Sequence, residues 1–81
     1  MQKKIINLEI LNGKVYDVDR TLARFEIDPV FVFLHIKSLS SKYDKIYVYI
    51  SFKESDLQVF SRLVRNLNVI DNVFVFHRLY R

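Results

Sequence analysis

Tyr47, Tyr49, Phe74 and Phe76 are the side chains of this sequence with the most to offer chemically. In "KIYVYIS" and "NVFVFHRL" each ring alternates with Ile or Val. If both stretches are strands, the four rings share one sheet face. Such rings can do two things. They can bury against another protein surface, or they can stack on nucleobases while nearby cations hold phosphates. Lys45, Lys53, Arg62, Arg65, Arg78 and Arg81 lie in the same half of the chain. Residues 41–81 carry seven Lys/Arg against four Asp/Glu, and residues 1–40 carry six against five. That excess is mild, far from the dense basic tract of a nucleic-acid tail. Arg62 and Arg65, three apart, share the polar face of an expected helix, where a solvated pair is the plainer reading. No RNP-type motif and no glycine-rich clamp accompanies the rings.

Other constellations are weaker. "YDVDR" holds Asp17-x-Asp19, and alternate carboxylates on a strand can hold Mg²⁺ for phosphoryl transfer. The pair sits beside Arg20 where a strand ends, so solvated turn acids are the plainer reading. A metal-dependent enzyme is a remote alternative here. Ser51, Lys53 and Ser55 can hold an anion at a helix N-terminus, but no glycine lets a phosphate approach the backbone. His35 and His77 have no acid or nucleophile at informative spacing. Cysteine is absent, which excludes disulfides and thiolate metal sites. The expectation is a non-enzyme, with no catalytic residues, no metal and no cofactor.

The elements that would position the rings can be read in order. "IINLEILNGKVYDV" is a hairpin around Asn12-Gly13. A three-residue loop puts Leu8 beside Val18 and Ile10 beside Tyr16, which matches the hydrophobic faces. A two-residue turn puts Leu8 opposite Asp17. The longer loop is expected, with strands at about 3–11 and 15–19. "TLARFEI" (Thr21–Ile27) alternates as a third strand or a continuation past a bend. "VFVF" occurs twice, at Val30–Phe33 and Val73–Phe76. The first follows Asp28-Pro29, an N-cap and an N1 proline, so Pro29–Lys42 is expected to be helical. Its β-branched residues leave strand as the alternative. "KIYVYIS" is a strand. Leu57, Phe60, Leu63, Val64 and Leu67 form an amphipathic helical stripe, with Ser51–Glu54 and Ser55–Gln58 as competing capping boxes. The second VFVF has no cap and no helical stripe, so it is a strand. The fold class is α/β (α+β), a two-layer mixed sheet of four to five strands and two helices in the order β-β-(β)-α-β-α-β, with the hairpin at a sheet edge. Residues 1–81 form a single domain.

Two helices cover one sheet face only. With Ile46, Val48, Ile50, Val73 and Val75 turned to the helices, the four rings face away. The first helix is also apolar nearly all round. The rings together carry on the order of 600–1,000 Å², comparable to the ~800 Å² that each partner contributes to a standard interface. Small domains also commonly need association for stability. The leading expectation is therefore a small assembly protein, a homodimer joined through Phe31, Tyr47, Tyr49, Phe74 and Phe76. The alternative is a nucleic-acid-binding dimer using Lys53, Arg62, Arg65, Arg78 and Arg81. No signal peptide or membrane span is expected, and the location is cytoplasmic.

Overall fold

The computed structural model describes residues 2–18 and 23–80. Their order is β1 (Lys3–Leu11), β2 (Lys14–Val18), β3 (Arg24–Ile27), α1 (Pro29–Ser40), β4 (Lys45–Lys53), α2 (Leu57–Leu67) and β5 (Val73–Tyr80). A single 3₁₀ turn, Glu54–Asp56, precedes α2. The strands form one five-stranded sheet in the order β3-β2-β1-β4-β5. β1 pairs antiparallel with β2, and β2 with β3. The pairs β1–β4 and β4–β5 are parallel. The sheet is therefore mixed, with helices crossing over between its parallel strands, as the sequence order implies.

Both helices lie on one face of the sheet. Ile6, Leu8, Ile10, Val15, Ile46, Val48, Ile50, Phe52 and Val73 turn towards them and are buried with Val32, Ile36, Leu63 and Leu67. The alternation of the strands forces the intervening residues to the opposite face. The two copies of VFVF part as their contexts dictate. In the first, Asp28 accepts a hydrogen bond from Val30 N at 2.9 Å and Pro29 occupies the first helical turn. The second lies in β5, whose residues Val73–Tyr80 pair in register with Ile46–Lys53. Asn72 fixes the entry to β5 by donating Nδ2 to the carbonyls of Ser40 and Tyr43, each at 2.9 Å.

Three local expectations need correction, and the third strand is present as expected. The hairpin closes through the two-residue turn, with Leu11 opposite Lys14 and Leu8 opposite Asp17. Asn12 has φ 50 and Gly13 φ 80, the positive pair whose twist matches that of the flanking strands. Turn geometry outweighs the polarity of Asp17. The hairpin is also not an edge addition, because β1 is the central strand. The third strand is observed as Arg24–Ile27, and residues 19–22 lie outside the described part. Neither capping box forms: Ser51 lies inside β4, and α2 begins after Asp56 with no side-chain cap. The Asp56 carboxylate instead accepts from Gly13 N at 2.8 Å, tying the hairpin turn to the start of the helix.

Candidate nucleic-acid interface

The face without helices is built from the residues that alternate with the core. The register sets them in rows. Ile5, Tyr47 and Phe74 lie side by side, and Asn7, Tyr49 and Phe76 form the next row. Glu9, Ser51 and Arg78 follow, and Lys53 and Tyr80 come last. At the other end Lys3 stands beside Lys45.

The four rings form a continuous ladder. Tyr47 stacks on Phe74 at a centroid distance of 5.7 Å, and Tyr49 on Phe76 at 5.1 Å. Tyr47 and Phe76 join the two rows at 6.1 Å. Tyr49, Phe74 and Phe76 are exposed at 44%, 43% and 44%. Side-by-side rings on a pleated surface support one another through edge and offset contacts, so the platform exists before any partner arrives. Ile5 extends its apolar surface onto β1 and is also exposed.

A polar strip borders the ladder. Glu9, at the centre of the sheet, is 8% exposed. Arg24 reaches it from β3: Nε lies 3.1 Å from Oε1 as an ion pair, and Nη2 donates to Oε2 at 3.5 Å. Oε1 receives no well-directed hydrogen bond from the described residues. Tyr80 reaches Glu9 from the other edge, donating its hydroxyl to Oε2 at 2.8 Å. Burial pushes the Tyr80 phenol up from its ordinary value, and the hydrogen bond and negative charge of Glu9 push the same way. A hydrogen bond with Ser51 and the charge of Arg24 pull against them. The strip thus ties both edge strands to the middle of the sheet. A buried carboxylate of this kind stands only because it is paired.

The expected site residues divide cleanly. Tyr47, Tyr49, Phe74 and Phe76 come together, with Arg78 next to Phe76 on the same face of β5 and Lys53 at the end of β4. Arg62 and Arg65 are exposed on α2, in the layer on the other side of the sheet. Phe31 is exposed on α1 in that same layer. Arg81 lies outside the described residues, as does Asp19 of the carboxylate pair. Asp17 sits in the row of Leu8, on the helix-facing side, and the described residues contain no cluster of three potential metal ligands. No described helix is long and apolar enough to cross a membrane.

Sequence reasoning missed Lys3, Asn7, Glu9, Arg24 and Tyr80 as residues of this face. Asn7 and Glu9 do alternate with Ile6, Leu8 and Ile10, so their side of the strand was readable. That β1 would lie beside β4, which puts them next to the rings, was not.

The fold and this face define a two-layer α/β protein that presents an aromatic platform, bracketed by cations, to the outside. The chain matches the family model described as the S1 RNA binding domain over residues 6–60, about two thirds of its length, and it belongs to that family. The match runs from β1 into α2, so it contains Tyr47 and Tyr49 and ends before Phe74 and Phe76. No curated protein matches the chain. S1 domains are barrels of the oligonucleotide-binding type, whose five strands curl into a partly open barrel. Here five strands stay in open order with helices over one face.

Family membership corrects the leading sequence expectation. A non-enzymatic assembly protein, a homo-oligomer joined through its aromatic sheet face or first helix, was inferred from uncovered apolar surface. Exposed rings need a partner with a flat apolar face, and a nucleobase meets that requirement as well as a second protein subunit does. The family match favours the base.

Proposed function

We propose that this protein is an RNA-binding module, not an enzyme, and that it holds single-stranded RNA across its helix-free sheet face. The observation that carries the reading is the ladder of Tyr47, Tyr49, Phe74 and Phe76, exposed on that face in a chain of the S1 RNA binding domain family. Each ring pair offers a π-face to one base, and such stacking contributes about 1–3 kcal/mol per base. The two rows are two residues apart along the strands, or about 6.6 Å at ~3.3 Å per residue. That spacing suits bases splayed from an extended backbone. A duplex keeps its base faces stacked internally and has none to offer.

The cations complete the design. Lys3 and Lys45 at one end, with Lys53 and Arg78 at the other, lie where a strand crossing the rings would leave its phosphates. Arg62 and Arg65 have no part in this reading, because the sheet separates them from the platform. An RNA partner also agrees with an intracellular setting.

The reading is tested by fluorescence anisotropy with labelled single-stranded octanucleotides. Tyr49→Ala/Phe76→Ala is expected to weaken binding ten- to a hundredfold, while Arg65→Ala leaves it unchanged. Affinity should fall with salt by about 0.7 log units per phosphate contact for each tenfold rise. Binding that survives loss of both rings would overturn the platform, as would equal affinity for duplex RNA.

A further inference from the structure

The helix layer carries a second uncovered surface, separate from the sheet face. Between α1 and α2 lie two hollows. One, of about 230 Å³, has Val30, Val59, Arg62, Leu63 and Asn66 in its lining. The other, of about 240 Å³, is lined by Val30, Phe33, Asn66 and Val69. Val30 and Asn66 belong to both, so the two are halves of one groove along the helix pair. Val30, Phe31 and Leu34 on α1, and Val69 beyond α2, are each more than half exposed. Apolar surface gathered around a groove in this way marks a docking surface.

The charge of this layer is one-sided. α1 and α2 together hold Lys37, Arg62 and Arg65 and not one Asp or Glu. None of the three cations forms an ion pair among the described residues. Arg62 lines the groove itself. Across from it on α1, Lys37 places Nζ 5.8 Å from the centre of the Phe33 ring. Asp28 and Asp56, which flank the helix N-termini, accept from Val30 N and Gly13 N. No described carboxylate lines either hollow. An apolar groove set between cations is complementary to an apolar partner edged with carboxylates.

The groove also selects the form of that partner. Its walls are helices, whose backbone groups are bonded within themselves, so an extended peptide finds no main-chain partners there. A helix brings its own backbone satisfied and inserts side chains spaced at i, i+3, i+4 and i+7. Each hollow is smaller than the ~300 Å³ of small-molecule sites and suits a single apolar side chain. A second copy of this chain is a poor occupant, because its helix layer brings the same positive charge. A flat bilayer surface would leave the groove unfilled and forfeit its contacts. We infer that the α1–α2 groove docks an acidic amphipathic helix of another protein and leaves the sheet face open. Apolar side chains of that helix fill the two hollows, and its carboxylates pair with Arg62 and Lys37.

The test uses a labelled helical peptide with Leu at i, i+3, i+4 and i+7 and Glu on both flanks, and a twin with Lys in place of Glu. Anisotropy is read on the wild type and on Lys37→Glu/Arg62→Glu, with a thermal melt of each protein. Both side chains are exposed, so the variant should melt with the wild type. The Glu peptide is expected to bind the wild type about tenfold more tightly than its Lys twin, the scale of two exposed charge pairs. The variant should reverse that order. A Glu peptide that fails to bind at millimolar concentration, or binds both proteins alike, would overturn the inference. So would binding to phosphatidylserine vesicles, or self-association in sedimentation, that is lost in Val30→Ser/Phe31→Ser; those results give the surface to a bilayer or to a second copy. A single-stranded octanucleotide should leave peptide affinity unchanged, and competition between the two would give the groove to RNA instead.

Discussion

At the scale of single residues, the least expected feature is Glu9, a carboxylate buried in the middle of a sheet face. It stands because Arg24 and Tyr80 reach it from opposite edges. Hydrogen bonds to charged groups contribute about 1.5–3 kcal/mol, and this one lies partly open to water. Tyr80→Phe is therefore expected to lower stability by about 1–2 kcal/mol in urea melts near neutral pH. The pH dependence has a definite sign. The folded Tyr80 phenol titrates above its ordinary value, so its contribution is full below the unfolded value, about 10, and is lost as pH rises through the folded one. The gap between wild type and Tyr80→Phe should narrow under alkaline conditions. A gap independent of pH would show that the hydroxyl does not act through Glu9. None of this was legible in the sequence, because Tyr80 and Glu9 are separated by 71 positions and nothing in either neighbourhood points to the other.

At the scale of elements, what was readable followed from local chemistry. Asp28-Pro29 made a helix of the first VFVF, and the absence of any such signal left the second as a strand. The alternation in "KIYVYIS" placed its rings on the face away from the helices. The hairpin shows where local reading stops. Asn12-Gly13 announced the turn, but hydrophobic matching favoured the longer loop, whereas positive φ at both positions closes the shorter one. Gly13→Ala isolates that effect. A Cβ on Gly13 would meet nothing within 4 Å, so its cost is conformational alone, about 1 kcal/mol at a left-handed position. Chemical denaturation should show that loss with an unchanged denaturant slope. A neutral substitution would mean that the turn relaxes to another form at no cost. The capping boxes failed for a similar reason: Ser51 was needed in the strand, and Asp56 turned its carboxylate to the hairpin instead of to its own helix.

At the scale of the whole molecule, the decisive fact is that two helices cover one face of five strands and leave the other uncovered. The uncovered rings were legible from alternation alone. Their partner was not, since an aromatic surface specifies flatness and dryness, and both a protein and a nucleobase supply those. Nor was the polar half of the face, because it is assembled by the order of strands: β1 brings Asn7 and Glu9 beside the rings only by pairing with β4. The sheet itself stands between Arg62 and Arg65, on α2, and the platform they seemed to serve. The claim on which the rest depends is that RNA lies on this face. The most direct measurement is an NMR titration of the isotope-labelled protein with a single-stranded octanucleotide, following side-chain and backbone signals together. The shifts should concentrate at Tyr47, Tyr49, Phe74 and Phe76, with Lys53 and Arg78 at their border and α1 and α2 silent. Shifts confined to the helices, with the ring signals unmoved, would contradict it.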